Sequence, residues 1–197
     1  MESAVTSFLN AVILLCPKVT KNELDYLKCG LTITEFKNKH FYIHANTIQH
    51  QLGFVYQGLL RSFYIDSKGN EITVNFIREK RYATHYTAFI TQTPSNYYFQ
   101  CIEPTVILNL SYQHIQEGYN KFPNIERYGR LIAEAVLQFQ QKRIESFIFQ
   151  TAEERYIDFI KVNPDLYSRI SLTHLSSYLG IERQTLTRIR QRLAHGS

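Results

Sequence analysis

Residues 171–193 constrain this chain most, because they combine two short amphipathic helices with a glycine between them. The apolar face of the first helix consists of Leu172, Leu175 and Leu179. Gly180 follows, and a glycine can adopt the left-handed conformation that ends a helix tightly. A second helix is predicted from Glu182. Its inner face consists of Leu186, Ile189 and Leu193.

The remaining faces of this second helix are polar and rich in arginine. They carry Arg183, Gln184, Thr185, Thr187, Arg188, Arg190 and Arg192. A short helix, a glycine turn and an arginine-rich helix are typical of a helix-turn-helix that binds double-stranded DNA. A protein that binds DNA needs cations to pair with the phosphates and forked hydrogen-bond donors to contact base edges. Helix pairs also occur in other all-α proteins, and an arginine-rich face is often only solvated. The segment alone leaves both interpretations open.

Composition excludes several classes of protein. The net charge of +5 permits a nucleic-acid partner without requiring one. The chain has three cysteines, Cys16, Cys29 and Cys101, and no two of them form a CxxC pair. Three cysteines are fewer than the four ligands of an iron–sulfur cluster. We therefore expect a cytoplasmic protein with reduced thiols and no cofactor. The spacing of His40, His44 and His50 does not indicate a metal site. No nucleophile–base motif indicates an enzyme, and the longest apolar stretch, 11–16, is too short for a membrane span.

The pattern of the chain predicts an α+β fold. Alternating runs between 31 and 110 surround a turn at 66–70 and indicate a β-roll or jelly roll of about eight strands. Beyond Leu110 the pattern is helical, with Ser111 as an N-cap and a capping box at 151–154. We expect a β-roll domain at 1–122, a long helix at 123–150 and an all-α helix-turn-helix domain at 151–197.

The long helix carries apolar residues seven apart in two offset sets. The predicted dimerisation residues are Ile125, Tyr128, Ile132, Ala135 and Phe139. This is the geometry of a two-stranded coiled coil. The alternative is that the stripe packs on the β domain of the same chain.

Three segments carry a resemblance to a known family. Residues 54–61 are similar to a strand–glycine–strand signature, residues 66–71 occupy the position of a hairpin turn, and residues 179–188 are similar to a recognition-helix motif. In this order they resemble the Crp/Fnr family of bacterial transcription regulators over essentially the whole chain, with a cyclic-nucleotide-binding-like β-roll as the sensor.

The resemblance implies a homodimer that places two recognition helices in successive major grooves of DNA. The residues matching base-contacting positions are Arg183, Gln184 and Arg188, and those matching phosphate-contacting positions are Ser171, Thr173 and Thr185. Arg190 and Arg192 are either phosphate contacts or solubilising charges. RNA polymerase is a candidate partner. The alternative function is a ligand- or protein-binding β-roll with a helical assembly tail that does not bind DNA.

The sensor domain departs from the family's cyclic AMP site. Aligned there, the family's Gly-Glu pair becomes Thr84 and His85, and the phosphate-binding arginine becomes Ser95, followed by Asn96 and Tyr97. Without that cation a buried cyclic phosphate would be costly, so we do not expect cyclic AMP to bind in the usual way. Together with Tyr82, these residues either line a site for another effector, whose identity is unknown, or fill the cavity in which members of the family hold cyclic AMP.

Overall fold

The computed structural model describes residues 2–195 and contains eight helices and eight strands in that range. The helices are α1 (Glu2–Leu15), α2 (Lys21–Cys29), α3 (Tyr86–Thr91), α4 (Tyr112–Lys121), α5 (Pro123–Phe149), α6 (Ala152–Val162), α7 (Leu172–Leu179) and α8 (Arg183–His195). The strands are β1 (Thr32–Phe36), β2 (Phe41–Ile43), β3 (Gln51–Gln57), β4 (Leu60–Ile65), β5 (Glu71–Ile77), β6 (Tyr82–Ala83), β7 (Tyr98–Cys101) and β8 (Thr105–Ser111). The α+β fold class is therefore confirmed.

The strands form two four-stranded sheets, in the orders β1-β8-β3-β6 and β2-β7-β4-β5. In the first sheet β8 pairs antiparallel with both β1 and β3, for example through Thr32 with Asn109 and Leu52 with Leu110. Buried side chains from both sheets pack into one core cluster: Ile43, Val55, Leu60, Ile77, Ala83, Phe99, Cys101 and Ile107. The alternation predicted between 31 and 110 thus forms two sheets that bury their apolar faces against each other.

Polar residues next to the helices fix where several of them begin. Thr20 and Thr151 each accept a hydrogen bond from the N–H of a glutamate three residues later, and that glutamate bonds back to the threonine. Ser111 caps α4 in the same position, and Pro123 begins α5. A proline is tolerated there because the first backbone N–H groups of a helix have no partner within it. The helix starts predicted at Ser111, Pro123 and Thr151 are confirmed.

A second core joins helices to the first sheet, and it includes part of the predicted dimerisation stripe. Ile125, Tyr128 and Ile132 are at most 7% exposed and pack with residues of α1 and β3 such as Phe8 and Phe54. Ala135 and Phe139 are exposed and continue that stripe along α5. The first three residues therefore face the β-roll of their own chain, as in the alternative considered from the sequence, and a second helix could not reach them without repacking this core.

The chain separates into two compact units. One unit contains the chain up to Ser62 together with Phe76–Leu137. The other contains Phe63–Asn75, which is the distal part of the β4–β5 hairpin, together with the chain from Gln138 onwards. The division falls within α5 rather than at its two ends. Within residues 2–195 no helix has the length and hydropathy needed to cross a membrane.

Candidate nucleic-acid interface

Helix α7 begins at a capping serine and ends at a left-handed glycine. The hydroxyl of Ser171 accepts a hydrogen bond from the backbone N–H of His174 at 3.1 Å. Gly180 has a φ of 67° and a ψ of 37°, which is the left-handed conformation. Residues other than glycine adopt this conformation only at a cost in conformational energy. A methyl group at this position would also lie 2.7 Å from the ring of Phe147. The glycine turn predicted between the two helices is confirmed.

Helices α7 and α8 contact each other through the faces that the sequence predicted to be apolar. Their buried apolar residues are Leu175, Leu179, Leu186 and Ile189. Burying each of these side chains contributes about 1.5–3 kcal/mol relative to leaving it exposed. This packing fixes which face of α8 is turned outward.

The outward face of α8 is polar and exposed. At 100° per residue, the side chains opposite Leu186 and Ile189 are those of Gln184, Thr187, Arg188 and Gln191, with Arg183 on one flank. The three predicted base-contacting residues are thus all exposed on or beside one face. Thr187 and Gln191 share that face and were not assigned a role from the sequence, although their separations of three and seven residues from Gln184 would have identified them.

The predicted phosphate-contacting hydroxyls are exposed at helix starts. Ser171 precedes α7, Thr173 lies in its first turn, and Thr185 lies in the first turn of α8. The Ser171 oxygen already accepts a backbone hydrogen bond, which leaves its O–H free to donate to an anion. The N-terminal end of a helix favours an anion because its first backbone N–H groups are free to donate hydrogen bonds and the positive end of the helix dipole lies there.

Arg190 and Arg192 contact other parts of the same chain. The Arg190 guanidinium lies over the ring of Tyr167, 5.1 Å from its centroid, and hydrogen-bonds to Tyr156, whose pKa burial raises to about 12. Arg192 forms an ion pair with Glu153 of α6. These two cations therefore help to hold α8 on the preceding helix, a role that the sequence did not suggest because their partners are distant in the chain.

Two further arginines hold the C-terminal end of α7. The Arg143 guanidinium lies 3.8 Å from the ring centroid of Tyr178 and 4.3 Å from that of Phe147, and it donates to the carbonyl of Tyr178. Arg155 Nε donates to the carbonyl of Leu179 at 3.1 Å. The last carbonyls of a helix have no partner within it and carry its negative dipole end, so cations here stabilise α7. Sequence reasoning missed both residues.

The residues aligned with the cyclic AMP site hydrogen-bond within the protein. Thr84 Oγ1 donates to Gln49 Oε1 at 2.9 Å. His85 Nδ1 lies 3.1 Å from Ser95 Oγ, and Ser95, which is fully buried, also accepts from the N–H of Tyr97. Burial lowers the pKa of His85, so its ring is neutral at neutral pH and supplies no fixed positive charge. Asn96 is exposed.

Tyr82 extends into a buried cluster of phenol rings. Its hydroxyl lies 2.6 Å from that of Tyr128 on α5, and its ring packs edge-on against Phe54 at a centroid distance of 5.5 Å. Burial raises the pKa of Tyr82 and raises that of Tyr128 to about 12. Both phenols are therefore neutral at physiological pH, and they link the first sheet to the long helix.

Within residues 2–195, no group of three His, Cys, Asp or Glu side chains is arranged to hold a metal ion, and His40, His44 and His50 form no such group. Cys16 and Cys101 are buried thiols, whereas Cys29 is exposed. Burial raises the pKa of Cys101, which keeps this thiol protonated.

Comparison with solved structures identifies the fold. FixK2 from Bradyrhizobium japonicum aligns with a TM-score of 0.73 at 15% identity, over 84% of this chain and 86% of that one. CLP from Xanthomonas campestris, described as a c-di-GMP responsive global regulator, aligns at 0.71 and 11% identity over 90% and 93% of the two chains. The catabolite activator protein of Thermus thermophilus aligns at 0.58 and 16% identity over 92% and 87%.

No protein-family model and no curated protein matches the sequence. The likeness is therefore one of three-dimensional structure. It shows that this chain has the fold of the Crp/Fnr regulators along most of its length, as the resemblance implied.

Proposed function

We propose that this chain, which has the Crp/Fnr fold, is a cytoplasmic transcription regulator that binds specific DNA sequences as a homodimer. The observation that carries the proposal is the outward face of α8, where Gln184 and Arg188 are exposed with Arg183 beside them. Arginine can donate two hydrogen bonds to guanine O6 and N7, and glutamine can pair with adenine in the same way. The regulators among the structural neighbours support this assignment.

The distribution of the arginines in α8 also favours DNA binding over a merely solvated helix. Arg190 and Arg192 are engaged by Tyr167 and Glu153. Arg188 is exposed on the outward face of α8, and Arg183 is exposed on its flank. The guanidinium groups of these arginines can donate to base edges in a groove of DNA. The hydroxyl groups at the helix starts can donate to the phosphates that border the groove.

Selection of binding sites from a random duplex library by the purified protein tests this function. The proposal expects an enriched palindrome whose half-site centres lie about 10 base pairs apart, since two recognition helices enter successive major grooves. Enrichment of single half-sites would contradict the dimer. No enrichment at about physiological salt, with or without small-molecule extract, would favour the alternative of a β-roll module that does not bind DNA.

The homodimer is supported by a second stripe on α5, which we call the dimer stripe. It consists of Leu137, Gln141, Ile144 and Ile148, spaced four, three and four residues apart. Leu137 is 68% exposed, Ile144 53% and Ile148 65%. Large apolar side chains at coiled-coil spacing are unfavourable in water, and a second copy of α5 presents the matching surface across a two-fold axis.

The sensor residues support a regulator that does not respond to cyclic AMP. His85 and Ser95 bond to each other, and no arginine replaces the missing cation at the aligned positions. We expect millimolar cyclic AMP to change neither the melting temperature nor the affinity for DNA. A ligand present at 100 times its dissociation constant would stabilise the fold by about 2.7 kcal/mol, so differential scanning calorimetry would detect it. A rise of several degrees in the melting temperature would show that cyclic AMP binds, with its phosphate held by another residue.

A further inference from the structure

A serine of the helix-turn-helix bonds to the edge of a strand. The hydroxyl of Ser177 on α7 donates to the carbonyl of Glu71 at 2.9 Å and accepts from the N–H of Thr73 at 2.8 Å. Strand β5 lies at the end of its sheet, with β4 as its neighbour. Backbone groups of residues two apart point the same way, so the carbonyl of Glu71 and the N–H of Thr73 both face this one hydroxyl.

The same end of α7 is held by two other segments. The carbonyl of Tyr178 accepts from Arg143 of α5, and that of Leu179 accepts from Arg155 of α6. Three successive residues, 177–179, thus bond to three different elements of the chain. All of these segments belong to the same compact unit, which includes Phe63–Asn75. Anchors in three elements restrain the rotation of α7 more than one contact could.

The anchored end of α7 leads into α8 through the turn at 180–182, and the proposed DNA contacts remain exposed. Ser171 and Thr173, at the opposite end of α7, are exposed, and so are Gln184 and Arg188 on α8. The contact between Ser177 and β5 therefore leaves the candidate interface accessible. A contact that restrains a binding helix without covering its binding face lowers the conformational entropy lost on association.

We propose that the β4–β5 hairpin is a strut that positions the helix-turn-helix for DNA, with Ser177 as its positioning residue. This inference rests on the proposed function and adds a role for a hairpin that does not itself contact DNA. Ser177→Ala removes both hydrogen bonds while keeping the helix. Each bond of this kind contributes roughly a two- to tenfold factor to stability, so the two together contribute roughly four- to a hundredfold. Only part of this loss falls on the orientation of α7, so we expect DNA affinity to fall about five- to tenfold.

Two measurements on the full chain test the strut, namely amide hydrogen exchange at Thr73 and affinity for the selected duplex. In the parent protein the Thr73 amide should exchange slowly, and in Ser177→Ala it should exchange at least tenfold faster. Ser176→Ala is a matched control, because the Ser176 hydroxyl donates within α7 to the Thr173 carbonyl. Thr73→Val is a second control, because it keeps the backbone N–H and removes a buried hydroxyl that has no partner among the described residues.

The expected result is faster exchange and weaker DNA binding in Ser177→Ala, with both controls like the parent. Unchanged exchange in Ser177→Ala would overturn the contact itself. Faster exchange with undiminished DNA affinity would overturn the positioning role, leaving a contact that does not orient the helix. A parent protein that binds no duplex would instead contradict the proposed function, and its Thr73 exchange would still report whether the contact exists.

Discussion

Replacing Ile144 by Asp is expected to convert the protein from a dimer to a monomer. Ile144 is 53% exposed in the single chain and lies in the middle of the dimer stripe. In a paired helix the substitution would bury one unpaired carboxylate from each copy, which costs several kcal/mol per dimer. The dimer dissociation constant should therefore rise at least 100-fold, since each 1.4 kcal/mol is a factor of ten. Sedimentation velocity over a concentration series measures it directly.

Phe149→Asp provides a matched control on the same helix. Phe149 is 78% exposed, yet it lies more than 90° around α5 from Ile144, so the same charge there should leave the dimer intact. Circular dichroism should show that both variants remain folded, because neither side chain is buried in the single chain. A dimeric Ile144→Asp variant beside a monomeric Phe149→Asp variant would place the interface on another face of α5.

The position of the dimer stripe illustrates what sequence periodicity could and could not predict. The helix carries two apolar stripes, one through Ile125 and Ile132 and the other through Leu137 and Ile144. We predicted the first stripe from the sequence and not the second, and spacing does not say which of the two faces is covered by the β-roll of the same chain. That depends on contacts with residues such as Phe8, more than 100 positions away.

Local features of the fold were predictable because their causes are local. The capping residues Thr20, Ser111 and Thr151 bond to backbone groups three residues away, and Gly180 ends α7 through its own backbone freedom. The turn at 66–70 closes on the carboxylate of Asp66, which accepts from the N–H groups of Lys68 and Asn70. Each of these signals lies within five residues of what it determines.

The parts of the candidate site that were missed depend on distant partners. Arg192 pairs with Glu153, 39 residues earlier, and Ser177 bonds to Thr73, 104 residues earlier. A sequence identifies the first as a basic residue on a basic helix and the second as one of several serines. Only the packing of α8 on α6 and of α7 beside β5 separates a cation that is paired within the chain, such as Arg192, from those on the outward face of α8.

That separation leads to the expectation that Arg188→Ala lowers affinity for the selected duplex by about 1–3 kcal/mol per half-site, or roughly 5- to 150-fold. The loss should come with relaxed preference at one base pair, because a fork that contacts a base edge carries sequence information. Arg183→Ala should behave similarly at a neighbouring base pair. Fluorescence anisotropy on duplexes that carry single substitutions in each half-site measures both effects.

Arg192→Ala is the matched control, since it removes the same charge from the same helix at a residue paired with Glu153. Exposed ion pairs contribute about 0–1 kcal/mol, so this variant should lose less than about fivefold in affinity and keep its base preferences. If Arg192→Ala weakened binding as much as Arg188→Ala, the ion pair between Arg192 and Glu153 would have to break when the protein binds DNA. The face of α8 that contacts DNA would then include Arg192 as well. If Arg188→Ala weakened all duplexes equally, Arg188 would be a phosphate contact, and specificity would depend on Gln184 and Arg183.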